Sequence, residues 1–213
     1  MISKLHYIAS GNSPKEHLEN IQHACQSGAE LVQLSLKGLS EKKQLKLAQE
    51  ARDITAHFQT RLIFKGSHKI AQQIKADGVL IENSENSILE ARNNLNSWQI
   101  IGGTANTLED CKSLLKNNID YIQLGPFHKT HIKENTTTPL GINGYLTILD
   151  VLKTKTPIIA FGGIEVTNIL DIMMTKVDGI AMSTAITQNF NLIPKINTFL
   201  DGPATKEQVW KMQ

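Results

Sequence analysis

Short apolar runs rich in β-branched residues recur along the chain, each followed by a stretch whose apolar positions fall at helical spacing. The runs predict strands over His6–Ala9, Leu31–Leu36, Leu62–Lys65, Gly78–Glu82, Gln99–Thr104, Tyr121–Gly125, Pro157–Gly162 and Gly179–Ser183. Helices are expected between them, near 14–27, 41–57, 68–75, 86–95, 107–117, 143–153, 166–175 and 188–200. Ser13-Pro14-Lys15-Glu16 offers a capping hydroxyl, a proline at the first helical position and a glutamate three residues after the cap. Thr107-Leu108-Glu109-Asp110 places acidic side chains where a helix N-terminus favours negative charge. Leu31-Val32-Gln33-Leu34 and Pro157-Ile158-Ile159-Ala160 are nearly continuous apolar runs, as strands buried on both faces of a parallel sheet are. A doubly wound open sheet shares this alternation. Eight strand–helix units favour the closed form, an α/β single-domain (β/α)8 TIM barrel with parallel strands. The barrel is expected over 1–200, with 201–213 as a C-terminal tail that is either a docked helix or disordered.

Composition narrows the function classes. A net charge of +2 over 213 residues argues against coating of nucleic acid or an anionic membrane, and 5% aromatic residues leave little for base stacking. No run approaches the roughly 20 apolar residues of a membrane span. The first ten residues lack a basic cluster followed by a long apolar core, so no signal peptide is expected. Cys25 and Cys111 are read as two buried thiols of a cytoplasmic protein. The expected partner is a small-molecule phosphate ligand; the oligomeric state is left open.

In such a barrel the chemistry lies at the C-terminal strand ends and in the loops that follow them. These positions hold Gln33, Ser35 and Lys37; Lys65, Gly66 and His68; Glu82, Asn83 and Glu85; and Thr104 and Asn106. The long connection 126–143 carries His128, Lys129, Thr130, His131 and Lys133, the content of a lid. His128 and His131 stand three apart, but no cysteine or carboxylate nearby completes a convincing zinc set with them. Gly162 and Gly163 follow the seventh strand and leave N–H groups open to a phosphate, while Ser183 and Thr184 add hydroxyls after the eighth. The glycines would equally serve a tight turn. Agreement between the last two loops, where barrels hold phosphate, favours the binding reading.

Val32-Gln33-Leu34, Ala76-Asp77-Gly78-Val79, Asp120-Tyr121 through Gly125-Pro126, Pro139-Leu140-Gly141, Pro157 through Gly162-Gly163-Ile164 and Asp178-Gly179-Ile180-Ala181 occur in an order that resembles thiamine phosphate synthase and the related thiazole tautomerase. The resemblance spans nearly all of 1–200. It implies a (β/α)8 barrel of thiamine biosynthesis that joins a thiazole phosphate to a pyrimidine pyrophosphate, releasing pyrophosphate with Mg2+. It further implies a phosphate site at Gly162, Gly163, Ser183 and Thr184, with Gln33, Ser35, Thr104 and Thr130 also on the substrates. Lys133 matches the lysine the family turns toward pyrophosphate, and Lys37 the lysine of its Gln-Leu-Arg-x-Lys run.

Several positions depart from that pattern. The arginine of the run is Ser35, which lacks a guanidinium's charge and reach. An Asn-Asp pair whose aspartate holds Mg2+ is Lys65-Gly66, and a second metal aspartate aligns with Glu85. Ile132 replaces a threonine, and Asn106 stands where the tautomerase has a histidine. Two readings follow. In one, a synthase uses Lys65, Lys37 and Lys133 for the charge a metal would bring. In the other, a diverged relative keeps a phosphate or thiazole phosphate pocket for binding, regulation or another reaction. A purely structural protein has less support, because a barrel does not need phosphate loops to fold.

Overall fold

The computed structural model describes residues 2–82, 85–129 and 137–202. Strands and helices alternate as far as β8, which two helices follow: β1 (Leu5–Ile8), α1 (Pro14–Gln26), β2 (Leu31–Ser35), α2 (Glu41–His57), β3 (Arg61–Lys65), α3 (His68–Gln73), β4 (Gly78–Glu82) and α4 (Glu85–Asn94). They continue as β5 (Ile100–Ala105), α5 (Leu108–Lys116), β6 (Tyr121–Leu124), α6 (Gly141–Leu152), β7 (Ile158–Phe161), α7 (Ile169–Met174), β8 (Gly179–Met182), α8 (Thr184–Gln188) and α9 (Leu192–Asp201). All neighbouring strands pair in parallel, and β8 returns to β1, closing the barrel. Closure excludes the open sheet and gives the (β/α)8 architecture.

Local chemistry sets several boundaries. Ser13 Oγ accepts the Glu16 N–H at 3.2 Å, and Glu16 reaches back to the Asn12 N–H at 2.7 Å, one residue beyond the cap. Thr107 and Asp110 form a reciprocal capping box at the start of α5, each side chain accepting the other's N–H, at 3.1 and 2.9 Å. The helix expected over 188–200 is two helices. Asn189 ends α8, and its side chain accepts the Asn191 N–H at 3.2 Å, an alternative to the helical ladder that delays α9 to Leu192. The helix expected near 143 begins at Gly141, whose φ of +55° turns the chain into α6.

One device recurs at the N-terminal ends of β4, β6 and β8. Lys75, Asn118 and Lys176 have positive φ and are followed by buried Ala76, Ile119 and Val177, then by an aspartate. Asp77, Asp120 and Asp178 accept the N–H of Leu62, Ile101 and Ile158 on a neighbouring strand at 2.8, 2.7 and 2.8 Å. Each aspartate's own N–H donates to the carbonyl of that same residue. These carboxylates pin strand register at the bottom of the barrel, away from the catalytic face.

Inside the barrel Leu31, Ile63, Leu80, Tyr121, Ile159 and Ala181 form an apolar cluster distinct from the layer between sheet and helices. Tyr121 lies over Gly102, its in-register partner: a Cβ there would stand 2.2 Å from the ring. Gly103, on the opposite face, makes room for Leu114 of α5 in the same way. Both glycines of β5 are packing requirements.

Candidate active site at the C-terminal mouth

Inward positions alternate along each strand, so the residue two beyond each core position faces the mouth. Above Leu31 come Gln33 and then Ser35; above Ile63 comes Lys65; above Leu80, Glu82. Ser35 pairs in register with Lys65, and Glu82 with Thr104, which pairs with Gln123. Four consecutive strands therefore contribute Ser35, Lys65, Glu82 and Thr104 to one arc of the rim.

Beneath the rim runs a polar layer. Gln33 is 2% exposed, and its amide nitrogen donates to Gln123 Oε1 and to His6 Nδ1, both at 2.8 Å. The other His6 nitrogen, Nε2, lies 3.0 Å from the Ser3 carbonyl, an acceptor only, so Nε2 carries the proton and Nδ1 accepts. Complete burial holds the His6 pKa down at about 3, and the ring is neutral. It meets Tyr121 edge-to-face with centroids 5.3 Å apart. Gln33, expected as a substrate contact, thus has both amide hydrogens engaged within the barrel. His6 and Gln123 are the partners sequence reasoning passed over; polar residues at inward positions of apolar strands are the signal for them.

On the rim, Lys65 Nζ stands 3.5 Å from Glu82 Oε1, with the two side chains 30% and 65% exposed. Thr104 Oγ1 is buried and finds no hydrogen-bond partner among the described residues, as is true of the Tyr121 hydroxyl. Lys37 lies exposed beyond the end of β2, apart from the Lys65 arc in the chain but on the same side of the barrel. Asn106 donates its side-chain N–H to the Gly125 carbonyl and its backbone N–H to Asp110 at 3.0 Å, tying the β5 loop to the end of β6. It serves the scaffold.

Opposite this arc, Gly162 and Gly163 have φ of +93° and +65°. The start of the β6 loop is stitched to them: Phe127 and His128 donate N–H groups to the carbonyls of Phe161 and Gly162 at 2.8 and 2.9 Å. A Cβ on Gly162 would meet Pro126 at 2.5 Å, and one on Gly163 would meet His128 at 2.9 Å. The pair is therefore a turn that the β6 loop packs against, and its outer residue, Gly163, stays exposed. Ser183 and Thr184 sit across the β7–β8 edge at the start of α8, where Thr187 Oγ1 bonds the Ser183 carbonyl at 3.2 Å and Tyr7 and Ser10 at 2.9 and 3.1 Å. Thr130, Lys133 and the side chain of Glu85 lie outside the described residues.

The chain matches the TMP-TENI family, thiamine monophosphate synthase, over residues 5–186. This match spans every strand of the barrel. The chain belongs to that family. It is 40% identical over 192 residues to a thiamine-phosphate synthase of Flavobacterium johnsoniae, covering 89% of this chain and 91% of that one. The corresponding protein of Flavobacterium psychrophilum is 38% identical over 203 residues, with 92% and 98% covered. The fold is also that of a thiamine phosphate pyrophosphorylase from Pyrococcus furiosus, with a TM-score of 0.76, 23% identity, and 98% and 96% of the two chains covered.

Within the family, the Mg2+ of the synthase reaction raises a specific question of fit. Magnesium is held through oxygens, typically one or two carboxylates with water and substrate phosphates. Among the described residues no group of three or more His, Cys, Asp or Glu converges. The one described carboxylate of the arc, Glu82, faces the Lys65 ammonium, which would repel a dication. The described rim does not fit a Mg2+ site. Nor, among the described residues, is any helix long and apolar enough to cross a membrane.

Proposed function

We propose that this protein is a thiamine-phosphate synthase whose mouth holds thiazole phosphate on one side and pyrimidine pyrophosphate on the other. The observation that carries the reading is the division of the rim: glycine and hydroxyl loops after β7 and β8 face an arc across the barrel that presents the Lys65 ammonium between the Ser35 and Thr104 hydroxyls. Gly163, Ser183 and Thr184 offer N–H and hydroxyl donors to a phosphate, with Gly162 setting the turn. Lys65 meets the pyrophosphate, joined by Lys37 and, from the β6 loop, Lys133, while Thr130 of that loop serves the thiazole phosphate side. Ser35 and Thr104 hydroxyls complete the arc, and Gln33 supports it from below through its bonds to His6 and Gln123.

In the reaction a bond to the thiazole forms as the bond to pyrophosphate breaks, and negative charge gathers on the departing group. Positive side chains already in place stabilise that charge without solvent having to reorganise. The barrel of 1–200 is the functional unit in this reading; of the expected C-terminal tail 201–213, residues 203–213 lie outside the described residues.

A second reading draws on the Lys65–Glu82 pair itself, which replaces metal-binding chemistry on the pyrimidine side while leaving the β7–β8 side in place. It makes the protein a non-synthase relative that keeps only thiazole phosphate. Calorimetric titration separates the two. The synthase reading expects saturable binding of both thiazole phosphate and pyrimidine pyrophosphate; binding of thiazole phosphate alone supports the second, and binding of neither removes both.

A further inference from the structure

We propose that Lys65 is the cation of a metal-independent pyrophosphate subsite, and that Glu82 is its internal gate, occupying the ammonium until an anion displaces it. The subsite shares the rim with the reading above but does not depend on turnover.

Three observations support it. First, Lys65 faces inward at the end of β3, in register with Ser35, so a hydroxyl and an ammonium on adjacent strands point to the same space. Second, the Lys65–Glu82 contact is a single 3.5 Å approach between partly exposed side chains. Such a pair is weak, because water solvates both ends and two flexible side chains are held in one geometry. A pyrophosphate brings several anionic oxygens to Lys65 where Glu82 brings one, so exchange favours the ligand. Third, Thr104 pairs in register with Glu82, and its Oγ1 is buried without a partner among the described residues. A hydroxyl so placed gains a hydrogen bond when an anionic oxygen takes the carboxylate's place.

The gate also gives selectivity. A neutral ligand gains nothing by parting Lys65 from Glu82, and a dication is repelled by Lys65. Only an anion is paid in full for opening the pair.

The test is isothermal titration with inorganic pyrophosphate in the presence of a chelator, on the intact protein and on Glu82→Gln, Lys65→Met and Lys65→Arg. Intact protein is expected to bind without added metal. Glu82→Gln removes the competing charge and is expected to bind about two- to fivefold tighter. Lys65→Met is expected to bind about tenfold weaker or worse, with Lys65→Arg recovering most of the loss. Thermal melts of each variant, matched to the intact protein, show that the barrel is retained. Binding that appears only when Mg2+ is added overturns the proposal, as does Glu82→Gln binding no tighter than the intact protein. Because no thiazole compound or turnover is involved, a synthase assay can fail while this subsite stands, and the reverse.

Discussion

His6 is a neutral imidazole sealed inside the barrel, with one nitrogen on the Ser3 carbonyl and the other accepting from Gln33. Its folded pKa of about 3 lies below its ordinary value of 6.5, so the unfolded chain takes up a proton that the native barrel refuses. Stability from this residue is therefore complete above pH 6.5 and is lost as pH falls from there toward 3. At pH 5 the loss is about 2 kcal/mol. His6→Gln keeps a neutral hydrogen-bonding side chain, and its unfolding free energy between pH 4.5 and 6.5 should fall less steeply than that of the intact protein. Urea titrations across this range check it; parallel slopes would mean that His6 does not carry the acid sensitivity. The residue scale is also where the sequence was least legible. His6 and Gln123 sit in runs that look like ordinary apolar strands; the pairing of β1 with β2 brings His6 to Gln33, and the barrel's closure brings Gln123 across to it. Lys65 and Glu82 were readable as mouth residues from their places at strand ends, but their pairing depends on neighbouring strands whose stagger no single run of residues states.

Among the elements, the strands were legible because parallel strands buried on both faces leave an unbroken apolar signal, and all eight appear within a residue or so of expectation. The helices were less so where glycine or asparagine intervened. Gly141 and Gly144 conceal the start of α6, and Asn189 to Asn191 divide the last helical stretch in two. What repeats across elements is the aspartate that fastens one strand to the next. Asp178 accepts the Ile158 N–H at 2.8 Å and returns its own N–H to the Ile158 carbonyl. Asp178→Ala removes the acceptor and leaves that strand N–H unpaired, at a cost of about 1–3 kcal/mol. Chemical denaturation measures it, and a change below a few tenths would show that the contact is ornamental to register. Substrate binding should be unaffected, since the residue stands at the opposite end of the barrel from the rim.

At the scale of the whole molecule, the barrel separates two tasks. Three aspartates at its bottom hold strand register, and the β2–β5 arc of its mouth carries a lysine and hydroxyls with one described carboxylate, Glu82, which is tied to that lysine. A net charge of +2 conceals this division, because the acidic residues that balance the lysines are not those that would bind a metal. Family membership and architecture were readable from the order of motifs. The balance of charge at the rim was not, because it depends on which strand ends converge. In the function proposed above, this hydroxyl-lined mouth with Lys65 on its rim joins thiazole phosphate to pyrimidine pyrophosphate. The direct measurement is to incubate the purified protein with both compounds, in Mg2+ and in chelator, and quantify thiamine phosphate and pyrophosphate together. Equimolar appearance of the two products is expected, with turnover that survives the chelator. Absence of thiamine phosphate in both conditions would contradict it.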